Sequence, residues 1–330
     1  MSSLLEPLNI KNIKLKNRLV MPPMATGKSE DDGKISKEII DYYDEKSKGG
    51  YISLIIIEHS YISQQGKASD NQLSISDDMV IDGLRNLSNI IHKNGSKAIM
   101  QINHAGSASK KSVTGMNAVG PSAIAHPRSE LVPNELTKNE IKEIIKGFKD
   151  AALRVKKAGF DGVEIHSAHG YLLSQFLSPI TNKRQDEYGG DLKSRIKIHL
   201  EIIDEVKKAV GEDFLLLLRL GASDYREGGV TLDESLIASK EFEKAGIDIL
   251  DISGGFNGYG VENKEVQGYF SPLTEEIKKV VNVPVILTGG ITDIKAADKL
   301  LKEDKADLIG VGRAILKDSN WAKNGIQSLK

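Results

Sequence analysis

Two histidines and a tyrosine fall within six residues of one another in VEIHSAHGYLLSQF, at His166, His169 and Tyr171, in a chain with seven histidines in all. Imidazoles so spaced, at the end of an apolar run, can donate hydrogen bonds to a shared group, ligate a metal, or sit as satisfied structural residues. No third, carboxylate ligand stands beside them, so no metal is expected. Tyr171 taken alone reads as packing; its place just after His169 marks it as a candidate proton donor. Further along, Gly289 and Gly290 in LTGGI, and Gly312 with Arg313 in GVGRAIL, supply bare backbone N–H groups and a guanidinium. That combination suits a phosphate, because glycine lets the main chain approach an anion closely; the plainer reading is tight turns. Arg219 closes the apolar run FLLLL, so its guanidinium enters dry surroundings and needs a partner. That partner is either an internal acid, Glu164 or Asp251, or, together with the Gln101 amide, the pyrimidine edge of a flavin, where negative charge appears on reduction.

Strand ends must hold such residues. Eight short apolar runs open at Arg18, Tyr51, Lys97, Phe160, Phe214, Ile247, Val283 and Ala306, and amphipathic stretches separate them, the alternation of strands with helices. Thr137 followed by Glu140 makes a capping box; Ile141, Ile144, Ile145 and Phe148 form an apolar helix face, and Gly159 can end the helix. Eight such units predict an α/β fold, a single (β/α)8 TIM barrel spanning residues 1–330, with its chemistry at the C-terminal strand ends. A doubly wound sheet is the fallback. Residues 105–136 are too long and too rich in Ser, Gly and Pro for a simple connection, and predict an inserted loop or hairpin after the third strand, covering the barrel mouth. RQDEYGG, Arg184 to Gly190, reads as a structural loop with internal salt bridges.

Composition narrows the class. The chain is 39% hydrophobic and 28% charged, with a net charge of −1, which offers no basic surface to nucleic acid. Its apolar runs are too short to span a bilayer and the N-terminus has no continuous apolar segment, so a cytoplasmic protein with no membrane partner is expected. There is no cysteine, which excludes disulfides, thiolate nucleophiles and Cys-bound zinc or iron–sulfur clusters. Any redox chemistry needs a bound organic cofactor.

The segments IKNIKLKNRLVMPPMATG, QINHAG, FDGVEIHSAHGYLLSQFLSPITNKRQDEYGGDLKSR, LLLRLGASD, TGGI and GVGRAIL together resemble the old yellow enzyme family of FMN-dependent ene-reductases. They are most similar to the barrel portion of bacterial enoate and 2,4-dienoyl-CoA reductases, over essentially the whole chain. The resemblance implies FMN as cofactor, NADH or NADPH as electron donor, ping-pong kinetics and a small α,β-unsaturated carbonyl substrate. It implies that Pro23, Met24 and Ala25 lie against the isoalloxazine, that His59 makes a further flavin contact, and that Gln101 and Arg219 meet the pyrimidine end. Gly289, Gly290, Gly312 and Arg313 would hold the 5′-phosphate. His166 and His169 match the pair that hydrogen-bonds the substrate carbonyl, so that hydride from flavin N5 reaches the β-carbon while Tyr171 protonates the α-carbon. Where one subclass carries a redox-modulating cysteine this chain has Ala25, and where that subclass has a substrate-contacting tyrosine it has Gly27. Two other readings stay open: an FMN barrel acting on a pyrimidine or uridine, and a flavin-binding protein without efficient enone turnover. A homo-oligomer is compatible with the sequence but not legible in it.

Overall fold

Runs such as FLLLLRL become strands buried on both faces when a parallel sheet has helices outside and its own interior behind it. In the computed structural model, which describes residues 2–259, 261 and 265–330, eight strands form such a sheet: β1 (Leu19–Met21), β2 (Leu54–Tyr61), β3 (Lys97–Asn103), β4 (Gly162–Ser167), β5 (Leu215–Gly221), β6 (Ile249–Ser253), β7 (Val285–Thr288) and β8 (Leu308–Gly310). They pair in parallel in chain order, and β8 returns to β1 to close the barrel. The fold is the expected (β/α)8 barrel. Outer helices α1 (Lys37–Ser47), α2 (Ile81–Lys93), α3 (Lys138–Lys157), α4 (Lys197–Val210), α5 (Leu232–Ala245), α6 (Ser271–Lys278), α7 (Ile294–Lys302) and α8 (Arg313–Lys317) follow the strands in turn. Capping boxes start two of them: Thr137 with Glu140 on α3, and Thr231 with Glu234 on α5. Each satisfies two backbone donors that the first helical turn leaves open.

Inside the barrel, Val20, Leu54, Ile56, Ile99, Leu215, Leu217, Ile249, Ile286 and Leu308 pack as one apolar plug. Its lower end is closed by an antiparallel hairpin, Leu8–Ile10 with Ile13–Leu15, whose Ile10, Ile13 and Leu15 join the same cluster. The sequence reading did not anticipate this hairpin. The barrel floor is therefore sealed with hydrocarbon, which leaves the C-terminal rim as the open end.

The segment at 105–136 contains two short strands, Val119–Gly120 and Asn134–Glu135, that pair in parallel. It is thus a loop and not a hairpin, since a hairpin pairs antiparallel. Arg184 of the RQDEYGG run ties it down: the buried guanidinium donates to the carbonyls of Pro121 and Leu136 at 2.8 and 2.6 Å and pairs with Asp186 at 2.7 Å. No helix among the described residues is long and apolar enough to cross a membrane.

Candidate active site

Alternation along each strand turns every second side chain inward. Above the plug those positions become polar: Gln101 on β3, Glu164 and His166 on β4, Arg219 on β5, Asp251 and Ser253 on β6. The register sets Gln101 beside Glu164, His166 beside Arg219, and Arg219 beside Asp251. Over this layer opens a cavity of about 520 Å³, a size typical of small-molecule sites.

The cavity gathers every residue that the sequence offered as a catalytic, substrate or cofactor contact. Pro23, Met24 and Ala25 enter from the end of β1, His59 from β2 and Gln101 from β3. His166, His169 and Tyr171 come from β4 and the turn after it, and Arg219 from β5. Gly289 and Gly290 follow β7, and Gly312 and Arg313 follow β8. Because β4 and β8 lie four places apart in the ring of eight, the imidazoles face the glycine and Arg313 wall across the mouth. The sequence reading missed Arg128 of the inserted loop, Tyr259 beyond β6 and Tyr269, which also line the cavity. The glycine-rich SGG at the end of β6 was the available signal for Tyr259.

The rings form a tight group. The centroid of His166 lies 5.2 Å from those of both His169 and Tyr171; Tyr171 stacks on His59 at 5.4 Å, and Tyr259 lies 5.0 Å from His169. His169 has a φ of +59°, a left-handed conformation that a non-glycine residue keeps only when its surroundings hold it. They do: its Nε2 is 2.7 Å from Ser253 Oγ, its N–H donates to the Gly254 carbonyl at 3.2 Å, and Arg128 donates to its carbonyl at 2.7 Å. His126 supports the same turn by donating Nε2–H to the Gly170 carbonyl at 3.0 Å.

Burial, above all, pushes His166 and His169 well below the usual imidazole range; for His166 the next causes are His169 and Arg219, for His169 they are Arg219 and His59. Burial and Arg219 bring His59 down to about 4. All three rings are therefore neutral near pH 7, each with one donor and one acceptor nitrogen. His166 Nδ1 is buried without a hydrogen-bond partner, a polar atom left for a ligand to satisfy. Burial raises the Tyr171 phenol, with Arg128 pulling the other way, so it holds its proton at neutral pH.

Arg219 resolves the two readings made of it by meeting both. It is ion-paired with Asp251 at 3.1 Å, both side chains buried, yet it also lines the cavity. The contact is off the line of a hydrogen bond, so charge more than direction holds it. Burial raises the Asp251 carboxyl against the pull of Arg219; the guanidinium paired with it at 3.1 Å favours the carboxylate.

The opposite wall is shaped by missing side chains. A Cβ on Gly290, whose φ is +66°, would meet the Tyr269 ring at 2.7 Å, and one on Gly312 would meet Met24 Sδ at 3.0 Å. Gly290 is therefore required, whereas a side chain at Gly312 would have to push the end of Met24 aside; both leave bare backbone beside Arg313, which has no carboxylate partner among the described residues. Bare backbone and a cation on one wall, and an amide and a buried guanidinium on another, fit an elongated polar ring that ends in a phosphate. Among the described residues no group of three or more His, Asp or Glu side chains is placed to hold a metal ion.

Comparison with known proteins gives a match of residues 3–329 to the model of the NADH:flavin oxidoreductase / NADH oxidase family. An NADH oxidase of Thermoanaerobacter brockii is 43% identical over 320 residues, covering 95% of this chain and 49% of that one. The chain therefore spans about half the length of that relative. An NADPH dehydrogenase of Clostridium acetobutylicum is 41% identical over 316 residues, covering 95% of this chain and 91% of that one. Among solved structures, a complex of 2-naphthoyl-CoA reductase superimposes with a TM-score of 0.94 at 29% identity, over 99% of this chain and 52% of that one. The old yellow enzyme homologue from Zymomonas mobilis does so with a TM-score of 0.85 at 27% identity, over 99% and 93%.

Proposed function

The chain belongs to the NADH:flavin oxidoreductase / NADH oxidase family, and on that premise we propose that it is an FMN-dependent NAD(P)H oxidoreductase of the old yellow enzyme type, reducing the activated C=C bond of α,β-unsaturated carbonyl compounds. One observation carries the reading: a single cavity joins a phosphate-type wall at Gly289, Gly290, Gly312 and Arg313 to two neutral imidazoles and a protonated phenol on the facing side.

FMN, when bound, would supply the two-electron chemistry by which hydride from NADH or NADPH reaches an electron-poor carbon. Arg313 and the glycine backbone would hold its phosphate, Gln101 and Arg219 its pyrimidine edge, Pro23, Met24 and Ala25 one side of the ring, and His59 a further edge. His166 and His169 aim N–H donors at the substrate's carbonyl oxygen, where negative charge accumulates as the β-carbon is reduced. For His169 this requires the Ser253 hydroxyl to donate to Nε2, which leaves Nδ1–H for the substrate. Tyr171 then delivers its proton to the α-carbon as general acid.

Product analysis tests the reaction. With 2-cyclohexenone and a reductant deuterated at the transferring position, the saturated product should carry deuterium at the β-carbon; with unlabelled reductant in D2O it should carry deuterium at the α-carbon. Unchanged enone, or an allylic alcohol from carbonyl reduction, would refute the proposal.

A further inference from the structure

Glu164 lies on β4 one inward position below His166 and is wholly buried. Its Oε1 is 2.7 Å from Gln101 Nε2, and its Oε2 has no hydrogen-bond partner. Across its neighbours it faces Gln101 on β3, Arg219 on β5 and Asp251 on β6. Arg219, the guanidinium that acts on it, is already paired with Asp251 at 3.1 Å. An ionised Glu164 would thus hold a second negative charge in a dry layer on a single hydrogen bond. Burial and the Asp251 charge push it well above the usual carboxylate range, against the weaker pull of Arg219 and Gln101.

A neutral acid has a hydroxyl to place. On Oε1 it can donate to Gln101 once the oxygen of that amide, and not its nitrogen, is turned toward it. The two ends of a glutamine amide have the same shape, and only the hydrogen-bond network decides between them. This arrangement leaves a neutral carbonyl oxygen as the only unpaired atom of Glu164, where the alternative leaves a charged oxygen or a buried O–H. Gln101 lines the cavity, so the end turned away from Glu164 is the end it presents there.

We propose that Glu164 is a positioning residue which, as a neutral acid, turns Gln101 so that its amide N–H groups face the cavity. Resting on the flavin reading of that cavity, this gives the pyrimidine edge of FMN a donor where charge appears on reduction.

The test compares wild type with Glu164→Gln and Glu164→Leu, loaded with FMN. In the infrared difference between wild type and Glu164→Gln, a protonated-acid carbonyl band should belong to the wild type at neutral pH. Glu164→Gln, which copies the neutral acid without changing charge, should alter the ratio of reduced to oxidised FMN affinity, read from the midpoint potential, by less than about threefold. Glu164→Leu, which leaves Gln101 unsteered, should weaken reduced FMN relative to oxidised FMN by about tenfold, one hydrogen bond's worth. Absence of the acid band, or a tightening of reduced FMN by about tenfold or more in Glu164→Gln, would mean that the wild-type residue is ionised and would overturn the proposal. If wild type binds no FMN, the flavin reading fails separately, and the infrared band of the FMN-free protein still decides the state of Glu164.

Discussion

Glu58 on β2 is 3% exposed and accepts hydrogen bonds from the Thr26 N–H and, at 2.8 Å, from the Thr26 hydroxyl, holding the residue next to Ala25 of the cavity wall. Burial pushes its carboxyl from the ordinary 4.5 up to about 7, with the Thr26 bonds and Lys28 opposing. The folded chain therefore keeps a proton that the unfolded chain releases at lower pH. Between those two values the native state binds more protons, so stability falls as pH rises. Each pH unit of full difference is worth ~1.36 kcal/mol; the loss is about 2 kcal/mol between about pH 5 and about pH 7, and about 3 kcal/mol when complete. Glu58→Gln removes the titration while keeping one acceptor for Thr26. Urea unfolding of both proteins across that pH range, at fixed FMN, isolates the difference because every other titrating group is shared. The variant should gain about 2 kcal/mol on wild type from the acid to the neutral end. Parallel curves would refute a raised Glu58.

Tyr171→Phe should slow reoxidation of the reduced protein by an enone ~10²–10⁴-fold, the usual cost of losing a general acid, with bleaching by NAD(P)H unchanged within a few-fold; stopped-flow absorbance separates the two halves. Arg313→Ala should weaken FMN about 10- to 100-fold, a charge-assisted hydrogen bond or more, and leave riboflavin, which has no phosphate, unaffected in a fluorescence titration. Asp251→Leu strands the buried Arg219 charge and should cost about 3–5 kcal/mol of stability by urea unfolding.

The barrel was legible because each strand is a continuous apolar run and each of α3 and α5 opens with a capping box written in four residues. That Arg219, Gln101 and the glycines of TGG and GVG gather at one cavity was legible because they lie in or directly after those runs. The floor hairpin was not: strands of three residues at Leu8–Ile10 and Ile13–Leu15 carry too little periodicity to separate from a loop. Arg128 and Tyr259 reach the cavity from long connections, whose paths depend on tertiary contacts such as the Arg184 anchor and not on local pattern. Glu58 lay hidden in the run LIIIEHSY, where only the fold reveals that an acid in mid-strand points at the Thr26 backbone.

The most direct measurement is an anaerobic titration of the purified, FMN-loaded protein, first with NADH or NADPH and then with 2-cyclohexenone, followed by visible flavin absorbance. The colour should bleach with at least one nicotinamide and return in proportion to the enone added. A protein that bleaches but does not recover with the enone would contradict carbonyl activation by His166 and His169, and one that retains no flavin would contradict the phosphate wall at Gly289, Gly290, Gly312 and Arg313.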